Sequence, residues 1–237
     1  MTRLPEAGVQ RFARARDAVA VIFAGRCFWL FAILLALIAI VPFIEPTPLG
    51  RLAVPVAHVL VIVAAVAAVG RSVGSFLIAL LLGGPGIAFH FLSGPAGEPW
   101  MVVYSWWFDA ALYFVTIAYL LRYVFSPDVM TADKLWGAAA AYLMLGVMWT
   151  FVYGLINAYY GPAFALGGST EKVGGIDVLY FSFTTLTSTG YGDVTPIVPQ
   201  ARALAIVEQV VGTLYLAILI ARLAGVYPPF RGGDRAP

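Results

Sequence analysis

The chain has 237 residues, 62% of them hydrophobic and 11% charged, with a formal net charge of +2 and a mean hydropathy of +0.91. Soluble globular domains are nearer half apolar and a quarter charged, so this composition excludes one and reads as an integral membrane protein. The net charge gives no reason to expect a nucleic-acid partner, and the lone Cys27 excludes an intrachain disulfide.

A membrane-crossing helix needs about 17–25 mostly apolar residues. Taken in chain order, six stretches qualify: 27–44, 52–69, 75–92, 103–121, 135–159 and 199–224. They predict an all-α membrane protein with six transmembrane helices. Residues 1–26 mix arginines with Val9, Phe12, Val19, Val21 and Ile22. This segment reads as a basic flank that sets topology or as an amphipathic helix on the anionic leaflet. It lacks the layout of a cleavable signal, because no small-residue cleavage site follows the first span. The third span contains Gly83-Gly84-Pro85-Gly86, which predicts a kink or a break.

With six spans, both termini share one side. That side holds Arg3, Arg11, Arg14, Arg16, Arg26, Arg71, Arg122, Lys134, Arg222, Arg231 and Arg235, and the other keeps Arg51, Lys172 and Arg202. The positive-inside rule then puts both termini in the cytoplasm, as for a multi-pass protein of the inner (plasma) membrane. Trp100, Tyr104, Trp106 and Trp107 begin the fourth span on the outer side, and Trp29 and Trp136 lie near the inner side, as interfacial aromatics should. The division that follows is a cytoplasmic basic segment over 1–26, a four-helix transmembrane domain over 27–121, a cytoplasmic linker over 122–134, a distinct unit over 135–227 and a short cytoplasmic tail over 228–237. That tail is too short for a folded regulatory domain.

Between the last two spans an apolar stretch over 175–187 is too short to cross a membrane and suits a re-entrant helix. Asp177 stands where it can cap exposed amides. Thr187-Ser188-Thr189-Gly190-Tyr191-Gly192-Asp193 follows it. Gly190 and Gly192 permit mirror-image backbone angles. Non-helical backbone at membrane depth is tolerated where it lines a cavity or is buried in protein. An extended strand with inward carbonyls can replace the water shell of a dehydrated cation, and a helix ending there adds partial negative charge.

At these residues the chain closely resembles the pore-loop potassium-channel superfamily, over about 135–227. The resemblance implies a pore domain of outer helix, pore helix, selectivity filter and inner helix, with K+ held by Ser188, Thr189, Gly190 and Tyr191, and Gly192 completing the filter. It extends to Tyr180 and Phe181 as aromatic braces, to Thr184 and Asp193 as filter support, and to Pro196 and Arg202. Gly212 falls at the position of an inner-helix hinge. Ser188 replaces the usual Thr, as in some channels of the ether-a-go-go type, and Thr189 replaces the usual Val or Ile. A single filter strand cannot surround an ion, so rotational symmetry is required, and the resemblance makes it a homotetramer. Thr213, Leu216, Ile220 and Ala224 share one face of the last span and are the expected pore-lining positions.

Ionisable residues inside a membrane are functional hypotheses. Glu208 is expected to be protonated or bonded to a pore-helix hydroxyl such as Thr184. His58, His90 and Asp109 fall at similar depth near the outer ends of their spans and form a possible outer polar cluster, paired structurally or sensing pH. The fourth span lacks the series of arginines that voltage sensing requires. The leading expectation is a passive potassium channel among membrane lipids, with K+ as the permeant ion, no catalysis and no cofactor. The alternatives are a weakly selective cation channel, a potassium-uptake transporter subunit, which normally carries four pore segments per chain, and a non-conducting membrane scaffold.

Overall fold

The structure is a computed structural model that describes residues 25–44, 56, 59–61, 63–64, 73–92, 98–170 and 173–226. It is mostly helical. In chain order the elements are α1 (Arg26–Ile44), α2 (Val73–Leu92), α3 (Pro99–Val124), α4 (Ala132–Tyr160), β1 (Phe164–Leu166), α5 (Gly175–Leu186), β2 (Val194–Pro196) and α6 (Pro199–Val226). Positions 56, 59–61, 63 and 64 are helical. Most of the expected second span, His58, the segment before residue 25 and the tail 228–237 lie outside the described residues.

Among the described residues four helices are long and apolar enough to cross a membrane: Arg26–Phe43, Trp100–Val124, Ala132–Tyr160 and Pro199–Gly225. Leu80–Leu92 and Gly175–Leu186 are shorter apolar helices. Their apolar character is not confined to one face. Phe43 is 82% exposed and Leu81 71%, a pattern that suits lipid rather than water.

The central element is α4, which packs against α1, α3, α5 and α6, while α2 lies on α3. Its start is capped by Thr131, whose hydroxyl accepts from the Lys134 N–H at 3.3 Å. Three glycines along α4 mark where neighbours press in. A Cβ on Gly137 would stand 3.3 Å from both Cys27 Sγ and Val124 Cγ2, one on Gly146 would overlap the Phe183 ring at 2.6 Å, and one on Gly154 would touch the Trp106 ring at 3.1 Å. Small residues at such points let helices approach closely where no hydrophobic effect drives them together.

The Gly83–Gly86 segment does not break the helix expected there, because α2 runs through it with Pro85 inside the helix. Gly86 answers to packing instead. A Cβ there would stand 2.7 Å from Asp109 Oδ1 on α3, so the missing side chain makes room for a buried carboxyl.

Candidate functional site

The loops between α4 and α6 fold into one support. Strand β1 pairs antiparallel with β2, setting Phe164 opposite Pro196 and Leu166 opposite Val194. Between these strands α5 descends and residues 187–193 return. Asp177 secures the start of α5 by accepting from the Gly174 N–H at 2.8 Å, as an N3 residue rather than as the cap itself. Arg202 Nε donates to the Pro196 carbonyl at 3.0 Å and ties the returning chain to the first turns of α6.

At the far end of α5 the chain leaves the helix while its amides stay bound to it. The N–H groups of Thr189 and Gly190 both donate to the Thr184 carbonyl, at 2.8 and 3.1 Å, and that of Ser188 donates to Thr185. Ser188, Gly190 and Gly192 have φ of 56°, 52° and 81°, and Ser188 is the one non-glycine residue with positive φ among those described. An ordinary strand turns successive carbonyls to opposite sides, whereas alternating left- and right-handed angles bring them to one side. Among the described residues no donor reaches the carbonyl oxygens of Ser188, Thr189, Gly190 or Tyr191. Four successive acceptors unclaimed by donors among the described residues, beside the negative end of α5, offer oxygens suited to cations.

A left-handed serine costs roughly 1–2 kcal/mol relative to the ordinary conformation, so its surroundings must hold it. The Ser188 hydroxyl lies 3.2 Å from Thr213 Oγ1 on α6, and Thr213 itself donates to the Gln209 carbonyl at 2.9 Å. The Thr189 hydroxyl lies 2.9 Å from that of Thr187, which donates to the Phe183 carbonyl at 2.7 Å. The Tyr191 ring stacks on Tyr180 with centroids 6.3 Å apart and planes 6° apart, and the Tyr180 phenol faces Asp193. Phe181 is buried in an aromatic cluster with Tyr153 and Phe164, at centroid distances of 5.2 and 5.1 Å.

Glu208 is fully buried. Its carboxyl accepts from the Ser182 hydroxyl at 2.6 Å and from Tyr153 at 2.5 Å, while Ser182 also reaches the Gly146 carbonyl at 2.8 Å. The expected partner Thr184 is not the one used: its hydroxyl donates to the Phe181 carbonyl at 3.0 Å. Two residues along a helix turn the side chain by about 200°, so Ser182 faces α4 and α6 while Thr184 faces away. Ser182 and Tyr153 were not singled out from the sequence; a buried acid on α6 called for hydroxyl partners without naming them.

Gly212 sits inside an unbroken α6, and a Cβ there would run into the Leu186 carbonyl at the end of α5. That same carbonyl accepts from Tyr142 at 3.2 Å. Thr213, Leu216, Ile220 and Ala224 are all exposed on the protomer, as are Ile206 on the same face and Leu214 and Ile218 on other faces of α6. Asp109 is buried against Gly86, one helical turn before His90 on α2. His58 lies outside the described residues.

A second polar cluster, missed in the sequence, lies where α3 turns into α4. Lys134 is buried and donates to the Ser126 hydroxyl at 2.8 Å and to the Asp128 carbonyl at 3.3 Å. Arg222, near the end of α6, donates to the Ser126 carbonyl at 3.0 Å.

The sequence pattern of the ion channel family matches residues 139–227. An uncharacterized protein of Methanothermus fervidus is 28% identical over 88 residues, covering 37% of this chain but only 12% of that protein. Protein LctB of Bacillus caldotenax is 33% identical over 98 residues, covering 39% of this chain and 72% of its own length. No solved structure matches the chain.

Proposed function

The chain belongs to the ion channel family, and we propose that it is one subunit of a homotetrameric, potassium-selective channel that passes K+ passively, without catalysis or a cofactor. The observation that carries this reading is the alternation of left-handed angles at Ser188, Gly190 and Gly192, with the four carbonyls from Ser188 to Tyr191 unclaimed by donors among the described residues. Such a row matches the inward carbonyls with which a filter replaces an ion's hydration, and one strand needs symmetry copies to close a ring.

In this reading α4, α5 and α6 are the outer, pore and inner helices of a pore domain over 135–227. Thr213, Leu216, Ile220 and Ala224 line the inner cavity. Glu208, Thr184, Asp193, Tyr180 and Phe181 support the filter, and Gly212 is both a close-contact site and the place for a hinge. Six spans, both termini in the cytoplasm, an inner-membrane location and gating without an arginine voltage sensor belong to the same proposal. The outer polar cluster expected of His58, His90 and Asp109 belongs to the same proposal. The Asp109→Asn variant recorded across external pH tests whether that cluster senses protons.

The deciding experiment is potassium flux into liposomes holding the purified protein, with Gly190→Asp as comparison. Wild-type flux with none from the variant is expected; equal flux from both would sink the filter assignment. A weakly selective cation channel is the second reading. It is favoured by the Ser188 hydroxyl, which leans on Thr213 rather than standing free for an ion. Reversal potentials in mixed potassium and sodium separate the two.

A further inference from the structure

A cavity of about 440 Å³ lies away from the 187–193 segment, among the peripheral helices, α4 and the start of α5. Its size falls within the range of about 300–1,000 Å³ that small-molecule sites occupy. Leu37, Ile38, Val61, Trp106, Phe151 and Leu179 form much of its wall. The lining comes from late α1, Val61, the end of α2, the first half of α3, late α4 and the first turns of α5.

The lining is mostly apolar, with polar side chains at His90, Trp106, Tyr113, Thr150 and Asn157. Thr150 donates back to the Gly146 carbonyl at 3.0 Å, and Asn157 Oδ1 accepts from the Ala163 N–H at 2.9 Å. Water gains little in such a space, and an empty void leaves its lining without dispersion partners. The α1 wall continues into the lipid-facing surface at Ile40 and Phe43, while Asn157, Gly174 and Gly175 are exposed lining residues that mark an opening.

We propose that this cavity binds a lipid acyl chain. The occupant is apolar, flexible and already present at this depth, and the lipid-facing side of α1 leads into the site. The site also has a consequence for the pore. Ile176, Val178 and Leu179 of α5 line the cavity, while Ser182 on the same helix is held by Glu208. Acyl occupancy therefore braces the start of the helix whose end carries the 187–193 segment. The inference does not depend on potassium selectivity.

Photolabelling of the purified full-length protein in phosphatidylcholine and phosphatidylglycerol vesicles tests it. One arm uses phosphatidylcholine with a diazirine midway along one acyl chain, and the other a free fatty acid with the same group. Label on residues 147–157 and 173–179 in either arm supports the proposal, and the arm that labels identifies the source of the chain. Label confined to exposed positions such as Leu80, Leu81 and Phe114 in both arms overturns it. Val147→Phe and Val178→Phe fill the space from α4 and α5. With labelling at Phe114 unchanged, each is expected to reduce cavity labelling several-fold. Undiminished cavity labelling in both variants also overturns the site.

Discussion

Glu208 on α6 accepts a hydrogen bond from Tyr153 on α4 at 2.5 Å, and both side chains are fully buried. With Ser182 of α5 on the other carboxyl oxygen, one acidic group joins three helices at a point away from solvent. Burying a carboxyl is tolerable only when its oxygens are bonded in this way.

Glu208→Ala removes the acceptor from Tyr153, and an orphaned buried hydroxyl costs about 1–3 kcal/mol. Glu208→Gln keeps one acceptor and gains a donor, so it can meet both hydroxyls. The expected outcome is lowered thermal stability for the alanine variant and near wild-type stability for the glutamine one. Thermal unfolding of the purified assemblies measures this. Equal midpoints for the two variants would remove Glu208 from its supporting role.

Gly212→Ala distinguishes close contact from hinge. Alanine is the better helix former by roughly 1 kcal/mol, so a pure hinge would stiffen but remain intact. Here the added Cβ meets the Leu186 carbonyl, which is backbone and cannot swing aside. We expect the assembly to persist while ion flux falls at least tenfold, equivalent to about 1.4 kcal/mol, because the end of α5 is displaced. Normal flux from Gly212→Ala would show that the contact relaxes without consequence.

How much of this the sequence disclosed depends on whether the signal was local. Hydropathy located α3, α4 and α6 to within a few residues, since a membrane-crossing helix is apolar along its whole length. The glycines at 190 and 192 announced unusual backbone angles by composition alone. Ser188 did not, because its positive φ is held by Thr185 and Thr213 rather than by its own preference. Glu208 was recognised as a buried acid, yet its partner was misassigned within α5, since choosing between Ser182 and Thr184 requires knowing which face of a short helix meets its neighbours. Lys134 looked like an ordinary cytoplasmic charge, and only the fold of the 125–131 linker buries it.

The contact between Ser188 and Thr213 makes a prediction about selectivity. Thr213→Val frees the Ser188 hydroxyl from its lateral partner, whereas Ser188→Ala deletes the oxygen. A neutral hydrogen bond of this kind is worth about 0.5–1.5 kcal/mol, or roughly a two- to tenfold change in a permeability ratio. If that hydroxyl coordinates ions, the first variant raises potassium preference over sodium and the second lowers it. Bi-ionic reversal potentials measure the ratio, and shifts of the same sign would deny the hydroxyl an ion-binding role.

The α3–α4 linker supplies the last test, because it separates a buried contact from an exposed one. Lys134 Nζ lies 4.0 Å from Asp128 Oδ2, but the aspartate side chain is 82% exposed, and exposed ion pairs contribute about 0–1 kcal/mol. The same ammonium is buried and hydrogen-bonded to Ser126, whose carbonyl in turn receives Arg222 from α6. Asp128→Asn should therefore leave stability almost unchanged. Lys134→Ala should cost about 1–3 kcal/mol through the lost hydrogen bonds and packing. It should also weaken the hold of the linker on α6, making Arg222 more accessible. Thermal unfolding reports the first effect, and hydrogen exchange over residues 125–131 and 218–226 reports the second. Equal destabilisation by the two variants would mean that the exposed ion pair, rather than the Ser126 contact, secures the linker.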